Sequence, residues 1–166
     1  MNFAINHEIS ASREAVIAAM INHSYYEFLG SQVSNIHAPE LLVVTEEGNL
    51  VTMEVRYAFA GALSGPARMA VDPTKLTWVI RTELNRESGS GQVTMTPDHY
   101  NGLLSCSGSL LLEETATGCT ESLNGELNVH LPLISHTAEV AIVQGLRSHL
   151  KDEAVAIAAF LQLPLP

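Results

Sequence analysis

The stretch Asn128–Leu150, "NVHLPLISHTAEVAIVQGLRSHL", joins two periodicities with almost no loop between them. Up to Pro132 apolar and polar residues alternate, the period of a half-buried strand. Beyond it Val143, Leu146, Leu150, Ala154, Ile157 and Leu161 recur at helical spacing and form one stripe. Lys151, Asp152 and Glu153 lie mostly off that stripe. A helix from about Ile134 to about Gln162 would be about 43 Å long at 1.5 Å per residue. That length crosses the whole width of a strongly curved sheet. Gly145 interrupts the helix at a cost of about 1 kcal/mol against alanine. A glycine there permits close packing, a bend, or space beside a cavity.

The strand pattern extends upstream. Leu123, Leu127, Val129 and Leu131 alternate with Ser122, Asn124, Glu126, Asn128 and His130. Val51, Met53, Val55, Tyr57 and Phe59 alternate with Thr52, Glu54, Arg56 and Ala58, and Leu76, Trp78 and Ile80 with Thr77, Val79 and Arg81. One dry face and one wet face mark an antiparallel sheet. At the start of the chain Phe3, Ile5, His7 and Ile9 alternate with Asn2, Ala4, Asn6 and Glu8, which predicts a first strand. "SASREAVIAAMI" then predicts a helix, with Ser10 or Ser12 as N-cap and Ala15, Val16, Ala19 and Met20 on its buried face. "SYYEFLG" predicts a second short helix closed by Gly30. "FAGALSGPARM" reads as a loop or an irregular edge.

Turn signals set the registers. Gly48-Asn49, "NRESGSG" and "ETATGC" each lie between apolar runs. Pairing Glu114 with Cys119 places Cys106 opposite Leu127 and Leu104 opposite Val129, all on the dry face. Around "NRESGSG" the expected pairs are Trp78 with Met95 and Ile80 with Val93. Cys106 and Cys119 then stand about eight residues, or about 26 Å, apart along the ladder. A disulfide needs Cα atoms within about 7 Å. Two free thiols are expected, as suits a reducing cytoplasm, and neither has CxxC spacing.

Composition bounds the function. A chain of 166 residues suits one domain over residues 1–166 with a sizeable core. Hydrophobic content of 46% with 16% charged residues excludes the disordered and membrane classes. Apolar windows break before about 18 residues, so no bilayer-spanning segment is expected. "MNFAINHEIS" has no basic n-region, so no secretion signal is expected and the protein reads as cytoplasmic. The net charge of −10 argues against nucleic acid and anionic membrane surfaces as partners.

The element order is a strand, two short helices, about six antiparallel strands and a long C-terminal helix, an α+β arrangement of helix-grip type. Over nearly the whole chain it resembles the START-like, or polyketide-cyclase-like (SRPBCC), superfamily. Two motifs carry a closer resemblance to an uncharacterised family of that superfamily, best known from actinobacteria. They are "DPTKLTWVIRTEL", with Asp72-Pro73 and Trp78, and "VHLPLISHTAEVAI", with Pro132 and Glu139. The resemblance implies a sheet bent around the last helix and a hydrophobic cavity between them. The helix would be the lid and one wall of that cavity.

Candidate site residues follow from the dry faces. His7 is either a core histidine satisfied by one hydrogen bond or a polar anchor for a ligand head group. Tyr57, Phe59, Trp78 and Met95 point inward, as plain core or as cavity lining whose hydroxyl and indole N–H orient an apolar ligand. His130, His136 and His149 show no HExxH and no i,i+4 pairing, so no metal site is expected. "HTAEV" places His136 and Glu139 at i,i+3, the spacing of a surface pair or a contact at the helix start rather than of an acid–base couple. There is no GxSxG, no nucleotide-binding glycine loop and no Cys–His signature. "SGSGQ" is a turn rather than a phosphate loop, because no helix follows it. No cofactor is expected. The reading is a protein that binds a hydrophobic small molecule, a lipid or a polyketide-like ring system. An enzyme of cyclase, aromatase or hydrolase type and an interaction module with a filled interior are the alternatives. Among clearly inward ionisable groups only His7 is expected besides the tyrosines, which counts against the enzyme.

Overall fold

A computed structural model describes residues 1–33, 36–37, 39–60, 72–131 and 135–162. Most of the stretch expected to be irregular, residues 61–69, and Pro132 and Ile134 at the strand–helix junction lie outside the described residues. The chain runs β1 (Asn2–Ile9), α1 (Arg13–Met20), α2 (His23–Gln32), β2 (Glu40–Glu47), β3 (Leu50–Ala58), a 3₁₀ turn (Pro73–Lys75), β4 (Thr77–Asn85), β5 (Ser90–Pro97), β6 (Leu104–Thr115), β7 (Gly118–Val129) and α3 (Ser135–Phe160). The strands form one seven-stranded antiparallel sheet in the order β1-β7-β6-β5-β4-β3-β2. This is the helix-grip topology expected from the element order.

The β6–β7 hairpin has the expected register, with Glu114 opposite Cys119, Cys106 opposite Leu127 and Leu104 opposite Val129. The β4–β5 hairpin is shifted by two residues from the expected one: Trp78 faces Pro97, Ile80 faces Met95 and Thr82 faces Val93. The turn explains the shift. Asn85 Oδ1 accepts from the N–H groups of Glu87 and Ser88, and the Gly89 N–H closes the turn onto the Asn85 carbonyl with φ +72°. Arg86–Gly89 is thereby taken up as loop. A slip of two keeps every side chain on its face. Gly125 in β7 lies under the Phe3 ring, and a Cβ there would meet Phe3 Cζ at 2.7 Å and Ser107 O at 2.6 Å.

Ser12 caps α1 by accepting from the Ala15 N–H, and Val16, Ile17 and Ala19 are its buried residues. Ala15 and Met20, expected on that face, are only partly buried. Helix α2 does not stop at Gly30 but runs to Gln32, capped by the Val33 N–H bonded to Leu29 O. Leu29 and Val33 are both buried, and their packing outweighs the roughly 1 kcal/mol cost of the internal glycine.

Helix α3 has 26 residues and is about 39 Å long at 1.5 Å per residue. Leu150, Ala154, Ala156 and Ile157 are buried, whereas Leu161 lies past the helix end and is exposed, off the expected stripe. Side chains of α3 hold its start to the preceding strand. Glu139 Oε1 accepts from the Val129 N–H, and Ser135 Oγ accepts from the Leu131 N–H and donates to the Leu131 carbonyl. Glu139 is thus a contact at the helix start. Gly145 has nothing within 4 Å of a built Cβ, so no close packing requires it.

The core is in two parts. One joins α1, α2 and the C-terminal half of α3 to residues such as Val51, Met53, Leu84 and Leu112. The other joins Phe3, Ile5, Leu123, Leu127 and Val129 to Leu150. The α3 backbone runs close to β1, β7, α1 and α2, and among the described residues it stands further from β3–β6. Cys106 and Cys119 are both free thiols. Among the described residues no helix is long and apolar enough to cross a membrane.

Candidate functional site

Tyr57, the last buried inward residue of β3, lies opposite Trp78 on β4, and their rings stack with centroids 6.1 Å apart at 11°. From the helix side the His149 ring meets Tyr57 edge-on, 5.6 Å away at 84°. One helical turn on, Glu153 Oε2 lies 3.7 Å from His149 Nε2. The Tyr25 hydroxyl of α2 donates to Glu153 Oε1 at 3.3 Å. Tyr25 packs edge-to-face on Tyr26, whose hydroxyl donates to the Met20 carbonyl.

Glu121 enters from β7. It is directly opposite His7 on β1 and shares the inner face with Cys119 and Leu123. Burial first, and then the charge of Glu153, pushes its carboxyl up to about 8. Burial first, and then Glu153, Tyr26 and Glu121, holds the Tyr57 hydroxyl well above the usual phenol range. Tyr25 is raised by burial and by Glu153 in the same way. His7 is held below its ordinary value by burial, then by Arg147 and Lys151. At neutral pH the interior therefore presents a protonated carboxyl and neutral phenols. His7 Nε2 and both ring nitrogens of His149 are buried without a hydrogen-bond partner among the described residues.

The inner face is unevenly covered. Val51 and Leu84, at one end of β3 and β4, are 0% exposed. Trp78, Ile80, Val93, Met95, Leu104 and Cys106 stay only partly buried on the same face. Met95 lies opposite Ile80 and Cys106. A cleft of about 280 Å³ lies on the outer face of β5–β7, lined mainly by the outward residues Thr94, Ser105, Ser107, Glu126 and Asn128. A second cleft, of about 540 Å³, is lined mainly by polar residues at the other end of the molecule, and both its arginines are engaged: the Arg13 guanidinium donates to the Glu87 carbonyl and Arg86 pairs with Glu46, while the Arg13 backbone N–H donates to Glu114. Among the described residues no three His, Cys, Asp or Glu side chains are arranged to hold a metal ion.

Residues 4–161 match the family described as "Protein of unknown function (DUF2505)". The chain belongs to that family. No curated protein matches it. Solved structures share its fold across nearly the whole chain. It is similar to a Thermus thermophilus protein (TM-score 0.65, 12% identity, 97% of each chain covered). It is similar to the Zhui aromatase/cyclase of Streptomyces sp. R1128 (TM-score 0.61, 10% identity, 98% of this chain and 93% of that one). It is similar also to norcoclaurine synthase of Thalictrum flavum (TM-score 0.59, 16% identity, 97% and 87%). At such identities the likeness establishes the fold, which is START-like (SRPBCC).

Of the residues singled out in the sequence of this DUF2505 protein, Tyr57 and Trp78 are brought into contact, and His7 is set beside Glu121. Met95 lies across β4 from Tyr57's strand, opposite Ile80 rather than Trp78. Phe59 falls beyond the end of β3, where its backbone bridges Ile36 and donates to the Leu76 carbonyl. His7 is not the only inward ionisable group besides the tyrosines: Glu121 lies opposite it on the inner face, His149 meets Tyr57 and Glu153 accepts from Tyr25. Nor is His149 without an i,i+4 partner, because Glu153 is one. Both had a signal. Stepping the β7 alternation back from Leu123 by two places Glu121 inward, and His149 and Glu153 flank Leu150 and Ala154 on the helix stripe.

Proposed function

We propose that this protein binds an apolar, partly aromatic small molecule between the inner face of the sheet and α3. Tyr57, Trp78 and Met95 are among the walls, with His7 and Phe59 at the margins. The observation that carries this reading is the incompletely buried inner face of β4–β6 around Trp78, Ile80, Met95 and Cys106, under a helix that stands off those strands. Apolar surface left to water there costs about 25 cal/mol per Å² that a ligand would recover. The stacked Tyr57–Trp78 pair gives a flat ring something to extend.

A second reading, an acid–base enzyme of cyclase or aromatase type, is favoured by the inward Glu121 opposite His7 and by His149 against Tyr57. Proton transfer needs at least two groups able to exchange protons, and the interior has them. Proteins of this fold include an aromatase/cyclase and a norcoclaurine synthase, so the frame accommodates such chemistry.

The test is a thermal-shift screen over fatty acids, isoprenoids, flavonoids and polycyclic aromatics, with native mass spectrometry of the purified protein. A ligand that binds only the folded state at a hundredfold excess over its dissociation constant stabilises it by about 2.7 kcal/mol. A rise in Tm confined to one class identifies that class. No shift from any class and no co-purifying mass would return the protein to the interaction-module alternative.

A further inference from the structure

We infer that the ligand of this protein is uncharged: the space beneath α3 between Glu139 and His149 takes a neutral apolar molecule and excludes carboxylates and ammonium ions of the same shape. The inference rests on the small-molecule reading above and names the charge class of that ligand.

Two contacts fix where α3 meets the sheet around its open part. Glu139 Oε1 accepts from the Val129 N–H of β7 at 3.0 Å, and the His149 ring meets Tyr57 of β3 with centroids 5.6 Å apart. Glu139 and His149 are ten residues apart, about 15 Å along the helix. Between β7 and β3 the sheet order places β6, β5 and β4, so the same contacts are four strand spacings, about 19 Å, apart along the sheet. The helix is the chord and the three intervening strands are the arc. A sheet bowed away beneath its chord leaves inner side chains short of the helix. Ile80, Met95 and Cys106, which face one another across β4, β5 and β6, are all incompletely buried. Above them Ile142, Val143 and Leu146 of α3 are incompletely buried too. Cys106 from the sheet and these three from the helix pack against one buried cluster that includes Leu127 and Val129. Strand β7 therefore closes one side of the space, and the Tyr57–His149 contact closes the other.

Nothing in that space answers a charge. Among the described residues every basic side chain is elsewhere: Arg13 and Arg86 line the far cleft, Arg56 and Arg81 pair with acids on the outer face, and Lys75, Arg147 and Lys151 are exposed. Glu139 sets its carboxylate near the start of α3, where the helix dipole favours negative charge, so a ligand's carboxylate finds that position taken. Beside His149 an anion would face Glu153, whose Oε2 lies 3.7 Å from Nε2. A cation fares no better. Glu139 and Glu153 already accept from the Val129 N–H and the Tyr25 hydroxyl. Glu121 is six residues along β7 from Leu127, about 20 Å away, opposite the fully buried Leu112 at the closed end of the inner face. An ion of either sign would give up its water against hydrocarbon without a free partner. A neutral molecule loses nothing of that kind and covers apolar surface that water now reaches.

The experiment compares 2-acetylnaphthalene, 2-naphthoate and 2-naphthylmethylamine, alike in shape, by calorimetry with the full chain at pH 7. Maleimide modification of Cys106, followed by intact mass, shows which of them sit beneath α3. The ketone is expected to bind and to slow Cys106 modification in proportion to occupancy. The naphthoate and the ammonium ion should bind at least about a hundredfold more weakly, as befits an ion stripped of water without a partner. Met95→Arg, which sets a permanent cation in the floor, should narrow or reverse the gap between ketone and naphthoate. A charged probe that protects Cys106 with an affinity within about tenfold of the ketone's would overturn the inference, as would an unchanged gap in a folded Met95→Arg protein. A charged probe that binds and leaves Cys106 reactive is seated elsewhere and supports the exclusion. Should the variant fail to fold, the three affinities of the unsubstituted protein decide. If all three probes protect Cys106 alike, only the charge exclusion fails. If none binds, the small-molecule reading fails and the inference with it.

Discussion

Glu121 stands directly opposite His7 across the β1–β7 ladder, both on the inner face of the sheet. The two groups shift in ways that burial dictates. The acid is held protonated and the imidazole is held neutral, each form being the uncharged one.

This sets the sign of a pH dependence. The Glu121 carboxyl is held at about 8 in the folded protein against an ordinary 4.5. Between those values the folded state keeps a proton that the unfolded chain has lost. Stability from this group is full below pH 4.5, falls as pH rises, and levels off above pH 8, by at most about 1.4 kcal/mol per pH unit. His7 acts oppositely as pH rises towards 6.5, because its folded value is the lower one. Glu153, His149, Tyr57 and Tyr25 face the same space from α3, β3 and α2. Comparison with Glu121→Gln isolates the one group. In urea titrations the variant should gain on the native protein from pH 4.5 to pH 8. A constant difference across that range would mean that Glu121 is solvated.

Strand β4 supplies an internal control on the open inner face. Leu84 is 0% exposed and Ile80, on the same face, is only partly buried. Leu84→Ala should cost about 2–5 kcal/mol, as a fully packed core truncation does. Ile80→Ala should cost clearly less than Leu84→Ala, because part of its surface is already in water and less burial is lost. Chemical denaturation of the two variants gives the comparison, and equal costs would show an inner face filled from end to end.

Gly145 invites a simpler substitution. It is exposed in the middle of α3 with nothing within 4 Å of a built Cβ. Gly145→Ala should stabilise the protein by about 1 kcal/mol through helix propensity. A lower Tm would show that the helix needs the glycine to bend.

What the sequence disclosed and what it hid have physical causes. The β6–β7 register was legible because a tight turn and a two-sided alternation agree. The β4–β5 register was displaced because Asn85 draws four residues into its turn, which no alternation can report. Gly30 misled because burial of Leu29 and Val33 carries α2 past it. Tyr57 and Trp78 were legible as apolar members of dry faces. Glu121, His149 and Glu153 lie at positions the alternation and the helix stripe also point inward, but an ionisable residue ordinarily marks the wet face, and that weighed against them. Only a partner-by-partner view shows a carboxylate bonded to a buried phenol and an imidazole against a tyrosine ring.

Cys106 is a built-in reporter for the proposed ligand. It lies opposite Met95 on the inner face and is partly buried, whereas Cys119 is 1% exposed. Burial pushes the Cys106 thiol up to about 11. At pH 8 about one thiol in a thousand is then ionised, and the thiolate is the species that reacts. Cys106 should therefore be modified slowly by a maleimide, with a rate rising about tenfold per pH unit towards pH 11, while Cys119 waits for unfolding. Cys106→Ser assigns the phase. A ligand seated against Trp78 and Met95 should suppress that phase in proportion to occupancy, read by intact mass against time. A compound that raises Tm yet leaves the Cys106 rate unchanged is bound elsewhere, and would remove Met95 from the walls of the site.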